Sequence, residues 1–267
     1  MSDAALQRKA ENKRVFNLAA PTFGSGPGTF THFGQRLVEF AGVKAGARVL
    51  DIGSGRGAVL FPAAERVGPD GEVIGIDLSD AMAVVTSEEA ARRGLFARVS
   101  VMDAEELSFA DESFDCVTCG FALMFFPDQD RSLAQMRRVL KSGGRVALST
   151  WKVYPNDDLR TVLHELGMTT VTEWQGAIRD AAVLEALLTK NGFVNVQVHA
   201  ESMDCCYANA NAHWQALLGT GTRRILEKLD AAQKERALVA FDERMKPRRR
   251  DDGIHITATA LLAIAEK

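Results

Sequence analysis

The chain has 267 residues, 46% hydrophobic and 25% charged, with a formal net charge of −3. That length supports one substantial core with a small elaboration, and the balance is that of a globular protein. The negative total supplies no basic field for nucleic acid. The one basic cluster, Lys246 with Arg248, Arg249 and Arg250, runs straight into Asp251 and Asp252 and reads as a solvated turn. No apolar run approaches the roughly 20 residues of a bilayer span. The segment from Ser2 to Arg14 lacks the apolar centre of a secretory signal, and four cysteines are too few for a disulfide scaffold, so the expected setting is the cytoplasm.

In chain order, residues 1–45 precede the first strand and are expected to form a helical cap or lid ahead of a main domain at 46–267. Gly24-Ser25-Gly26-Pro27-Gly28 within that cap suits either a hinge or a plain surface loop. Ala47 to Ile52 is a short apolar run ending in glycines, which predicts a buried strand; Glu72–Asp77, Arg98–Met102, Phe114–Gly120 and Gly144–Thr150 repeat it. Helical stretches lie between them, at about 57–67, 80–93 and 128–140. Ser79 and Asp80 suit a cap for the second and Asp128 for the third, while Lys141-Ser142-Gly143-Gly144 stops the third. Strand, helix, strand repeated in this way predicts a parallel sheet with helices on both faces. After Trp151 the rhythm changes: a helix at 180–190, strands at Phe193–Cys206 and His255–Ala263, and a helical insertion at about 208–246.

The loop after the first strand reads Asp51-Ile52-Gly53-Ser54-Gly55-Arg56-Gly57. Glycines there allow a ligand close to the backbone, and the following helix offers free N–H groups. The same letters satisfy the loose dinucleotide fingerprint, with Asp77 at a suitable distance. Asp51 opposes that reading: a carboxylate repels a pyrophosphate but favours a ligand carrying an ammonium or sulfonium. Asp77 ends the second strand, where a carboxylate accepts hydrogen bonds from ribose hydroxyls. Asp103, after the third strand, is placed either to reach an adenine amino group or to cap a helix beginning near Ala104. Met82 suits an adenine contact or plain helix core.

Taken together, these segments resemble the class I S-adenosylmethionine-dependent methyltransferases, especially the ubiquinone and menaquinone C-methyltransferase branch. The likeness rests on Val49 to Gly57, Val73 to Ser79, Met102 to Glu105, Phe114 to Val117 and Arg138 to Arg145, in order and at suitable intervals. It implies a Rossmann-like, seven-stranded, mostly parallel sheet of order 3-2-1-4-5-7-6; the insertion and the N-terminal segment, not needed to complete that sheet, are expected to build the acceptor pocket. It also implies S-adenosylmethionine as cofactor and S-adenosylhomocysteine as product. Asp51, Gly53, Ser54 and Gly55 would hold the methionine end, Asp77 the ribose, Leu78 and Met82 the adenine face, and Asp103 and Ala104 the adenine edge. Gly120 and Phe121 would line the channel to the acceptor. Phe16-Asn17 stands where the family often has an aromatic-Asp pair.

Methyl transfer from a sulfonium needs alignment and water exclusion, and a base only where the acceptor must lose a proton. His32, in Phe30-Thr31-His32-Phe33, is the candidate base, with Tyr154, His164 and Glu173 behind it; His199 and His255, in strands, read as structural. Trp151, Trp174 and Trp214 offer stacking surfaces for a flat acceptor, or ordinary core packing. Cys116 and Cys119 fall on opposite faces of one strand, and Cys205 and Cys206 lack histidines at metal-binding spacing, so no metal site is expected. Cys119-Gly120-Phe121-Ala122 replaces the Asn/Asp-Pro-Pro-aromatic motif of nucleic-acid amine methylation. The expected enzyme is therefore a small-molecule methyltransferase of primary or natural-product metabolism, monomeric or homodimeric. The competing readings are a methyltransferase-fold protein that binds the cofactor for other chemistry such as cyclisation, and a nicotinamide-dependent dehydrogenase.

Overall fold

The computed structural model describes residues 2–168 and 178–267. Five strands, β1 (Arg48–Ile52), β2 (Glu72–Asp77), β3 (Ala97–Val101), β4 (Phe114–Gly120) and β5 (Leu140–Val153), pair in parallel. β6 (Val194–Tyr207), the two-residue β7 (Arg249–Arg250) and β8 (Gly253–Glu266) complete the sheet, with β8 antiparallel to β5 and to β6. The order is β3-β2-β1-β4-β5-β8-β6, with β7 pairing β8 off that path. The expected seven-strand order is therefore present, with Arg249–Arg250 as an additional short strand that shifts the last number.

β1 and β4 are buried on both faces, which is why they read as unbroken apolar runs. Successive residues feed opposite cores. Val49 and Cys116 join the layer containing α2 (Thr29–Ala41) and α3 (Leu60–Val67), whereas Leu50 and Val117 join α5 (Gln129–Val139) and α7 (Ala181–Lys190). β3 is exposed along one edge.

Local chemistry sets the ends of the elements. α4 (Asp80–Arg92) starts at Ser79, whose Oγ accepts from the Met82 N–H at 3.1 Å. α3 begins three residues later than its spacing predicts, because Gly57 holds φ 82° and cannot be helical. α5 stops at Val139 rather than Leu140, and Gly143 takes the left-handed turn at φ 73°. The long helical stretch between the last strands divides into α8 (Ala210–Leu218), α9 (Arg223–Leu226) and α10 (Ala231–Met245). Gly219-Thr220-Gly221 interrupts it, and a capping box of Asp230 with Gln233 starts the last helix. Ahead of the sheet lie α1 (Asp3–Ala19) and α2, and α6 (Asp157–Glu165) follows β5. No helix among the described residues is long and apolar enough to cross a membrane.

Candidate active site

The carboxyl ends of β1, β2, β4 and β5 open into one cavity roofed by α1, the start of α2 and the Thr220-Gly221 turn. This is the crest where open α/β sheets take ligands, because loops diverge there to either face. Asp51, Gly53, Ser54, Gly55, Asp77, Leu78, Met82, Asp103, Ala104, Gly120 and Phe121 all line it.

At its floor the glycine loop turns over β2: the Gly53 and Ser54 N–H groups both donate to the Ile76 carbonyl, at 2.8 and 3.0 Å. Gly53 sits at φ 68°, and a Cβ there would lie 2.4 Å from the Ala122 methyl. Gly55, at φ 49°, donates its N–H to Asp77 Oδ2 at 2.9 Å. Left-handed backbone and close approach together exclude larger residues from this turn.

Asp51 is buried; its Oδ1 accepts from the Thr118 hydroxyl at 2.8 Å, while Oδ2 has no partner among the described residues. Burial, with the nearby Asp77 charge adding to it, pushes the Asp51 carboxyl up to about 7. Ser54 Oγ is likewise buried without a partner. Asp77 spans the loop and the helix cap, with Oδ2 on Gly55 and Oδ1 accepting from the Ser79 N–H at 2.9 Å. Its burial also raises its carboxyl, against those N–H groups.

At the other end, Asp103 Oδ1 accepts from the Glu105 N–H at 2.9 Å, and a turn rather than a helix follows. Lys9 of α1 reaches over to Asp103 Oδ2 at 2.6 Å and to Glu105 Oε2 at 2.5 Å, with the Glu105 side chain only 2% exposed. Asn17 Oδ1 accepts from the Ser79 hydroxyl at 2.6 Å, and Asn12 donates to the Phe125 carbonyl at 2.8 Å. Met82 is both fully buried and on the cavity wall.

The remaining wall is aromatic. Phe121 stacks on Trp151 with centroids 3.9 Å apart, and Trp151 stacks on Tyr154 at 4.9 Å. Phe30 meets both Phe121 and Trp151 edge-on and stacks on Phe23. Phe121 takes φ +53°, costly for an aromatic residue, and is held there by Ser149, whose Oγ and carbonyl both accept its N–H at 3.1 Å. The Tyr154 hydroxyl sits with those of Thr220 and Thr222, and burial raises it above the ordinary phenol range, so it stays protonated.

His32 is not part of this group. It faces away on α2, with Nε2 3.1 Å from Glu201 Oε1, the carboxylate that also accepts from Arg36. A base role there has no geometric support, because the inward positions of α2 are Phe33 and Leu37. His164 is exposed on α6, and Glu173 and Trp174 lie outside the described residues. His213 is buried in the insertion, where desolvation lowers it to about 4 and Nε2 donates to the Pro155 carbonyl. Trp214 packs in the insertion core. Sequence reasoning missed Lys9, Asn12, Glu105 and Thr220; the first three make contacts across 94 to 113 residues, and Thr220 meets Tyr154 only through the fold, so no local spacing marks them.

The donor set suits S-adenosylmethionine. An unpartnered buried carboxylate oxygen and hydroxyl at the glycine loop fit an ammonium, a second carboxylate fits ribose hydroxyls, and a pyrophosphate there would face two acids.

A methyltransferase domain model matches residues 50–148. Aklanonic acid methyltransferase DauC of Streptomyces sp. (strain C5) is 40% identical over 152 residues, covering 56% of this chain and 68% of that protein. The ubiquinone/menaquinone biosynthesis C-methyltransferase UbiE of Idiomarina loihiensis is 42% identical over 160 residues, covering 55% of this chain and 63% of that protein. The chain thus matches about two thirds of the length of these relatives. Among solved structures, the YcgJ protein of Bacillus subtilis superposes with a TM-score of 0.62 at 25% identity, covering 88% of this chain and 98% of that one.

Proposed function

The chain belongs to the S-adenosylmethionine-dependent methyltransferases, and from that premise we propose that it methylates a flat, largely apolar small molecule bound against the Phe121–Trp151–Tyr154 stack. The observation that carries this reading is continuity: one cavity holds the carboxylate-and-glycine loop at one end and the aromatic stack at the other.

In this reading Asp51, Gly53, Ser54 and Gly55 bind the methionine end, Asp77 the ribose, Leu78 and Met82 the adenine face, and Asp103 with Ala104 the adenine edge. Gly120 and Phe121 separate cofactor from acceptor. Residues 1–45 act as the cap, and the insertion of α8 to α10 brings Thr220 to the acceptor wall. S-adenosylmethionine, when bound, supplies a methyl group already activated on sulfur, for in-line displacement. The chain's share is to align the acceptor and exclude water, and the aromatic rings on the acceptor side do both.

No histidine lines the cavity among the described residues. Tyr154, held protonated, positions an acceptor oxygen as a hydrogen-bond donor and does not abstract a proton. The aromatic acceptor wall, with neither a histidine nor an ionised tyrosine, suits an acceptor that ionises near neutral pH by itself, such as a hydroxyl or carbon activated by an adjacent carbonyl. The test is incubation with S-adenosylmethionine and a panel of flat hydroxyquinones, phenols and β-dicarbonyl aromatics. The expected result is a product heavier by one methylene, with stoichiometric S-adenosylhomocysteine. An acceptor that rearranges while the cofactor is left unconsumed would transfer the assignment to cyclisation.

A further inference from the structure

At the far edge of the sheet, away from the cavity, antiparallel pairing of β6 with β8 sets Cys206 directly opposite His255. Asp204, two residues before Cys206, projects from the same face of β6. The tight turn between β7 and β8 brings Asp252 to the same place. Sequence spacing gives no hint of the cluster, because Cys206 and His255 are neighbours only through strand register.

We propose that Cys206, Asp252 and His255 form a divalent transition-metal site of zinc type, with Asp204 supporting the imidazole from behind. One potential ligand atom from each of the three residues lies within 4.8 Å of the others. His255 Nδ1 is 2.6 Å from Asp204 Oδ2, and Nε2 is 2.8 Å from Asp252 Oδ1. A carboxylate accepting from Nδ1 fixes the tautomer in which Nε2 presents its lone pair, the usual outer support of a metal-bound histidine. Cys206 Sγ lies 3.6 Å from the Asp252 carbonyl oxygen. A small shift of the exposed Asp252 carboxylate, 68% open to solvent, would admit an ion between sulfur, nitrogen and oxygen at tetrahedral distances of roughly 2.0–2.3 Å.

Charge favours an occupant. Two carboxylates and a thiol face one imidazole, and the cation packed against them, Arg250, is paired with Asp204 at 3.4 Å. The thiol and imidazole select zinc or cobalt over magnesium or calcium, which prefer all-oxygen sites. The exposed side leaves the fourth position to water. Bound there, the ion would tie the end of the α8–α10 insertion to β6, a structural role independent of the methyl-transfer reading. Without a metal the same contacts would make an imidazolium shared by two carboxylates, which is the outcome the experiment must separate.

Chelator-treated full-length protein titrated with cobalt(II) makes that separation. The site predicts saturation at one equivalent, with a thiolate-to-cobalt band in the near ultraviolet and visible bands of four-coordinate cobalt, both displaced by zinc. Cys206→Ser removes the near-ultraviolet band, and His255→Gln weakens binding at least tenfold, while Cys206→Ser melts at an unchanged temperature in the absence of metal. Absence of a one-equivalent endpoint overturns the proposal, as does a near-ultraviolet band that survives Cys206→Ser.

Discussion

Asp51 carries the sharpest prediction at the scale of single residues. Burial holds its carboxyl near 7, above its ordinary 3.8, so the ligand-free fold favours the protonated form. Its contribution to stability is full below pH 4 and is lost as pH rises through about 7. A cationic ligand reverses the preference, because it pairs with the ionised form. Affinity for S-adenosylmethionine is therefore expected to fall about tenfold per pH unit below 7 and to level off above 8. Asp51→Asn should bind weakly at every pH yet melt higher than wild type at pH 8 without ligand. Calorimetry across pH 6 to 8 measures the first, and a flat wild-type profile would contradict it. Asp77→Ala removes the tie to Gly55 and, on the proposed reading, the ribose contacts, and should weaken binding by about 1–3 kcal/mol in a folded protein. Gly55→Val, at φ 49°, should abolish binding while leaving the sheet intact; full binding by that variant would place the ligand elsewhere. The two acids were legible in the sequence because strand ends fix where they point. His32 was misjudged although the signal was present: positions 33, 37 and 41 carry the buried face of α2, which turns 32 and 36 outward.

Among the elements, α1 is the one whose role no local pattern discloses. Its mean hydropathy is low, and it is held by polar contacts: Lys9 to Asp103 and Glu105, Arg8 to the Met124 carbonyl, and Asn17 to Ser79. Each joins residues far apart in sequence, so periodicity could suggest a helix but not its seat. Replacing Lys9 with Met leaves Glu105 buried without its cation, a loss on the order of 3 kcal/mol. Hydrogen exchange should then show α1 losing protection before the central strands, with a weaker cofactor complex; unchanged protection would mean the helix is seated by other contacts. The acceptor wall makes a separate prediction. Tyr154→Phe keeps the stack on Trp151 and removes only the hydroxyl, so KM for the acceptor should rise about fivefold, near 1 kcal/mol, with cofactor affinity unchanged. A change in cofactor affinity instead would show that the hydroxyl serves the other half of the cavity.

At the scale of the whole molecule, legibility follows burial. β1, β2 and β4, enclosed on both faces, announce themselves as apolar runs, and the helices that alternate with the strands make the sheet parallel. β6 keeps its expected length, displaced by one residue, whereas β8 runs to 14 residues, beyond the His255–Ala263 run, because its pairing with β5 and β6 carries the strand past the apolar stretch at both ends. The insertion splits into three helices at small-residue turns whose purpose, placing Thr220 on the cavity, depends on contacts across the fold. The proposed cofactor residues are local to strand ends and so could be read, whereas the proposed acceptor wall is assembled from remote segments and could not. The central claim, that this crest binds S-adenosylmethionine and not a dinucleotide, is tested most directly by parallel calorimetric titrations with S-adenosylmethionine, S-adenosylhomocysteine and NAD. The account predicts micromolar binding of the first two and no heat from NAD; tight NAD binding with silence from the others would contradict it.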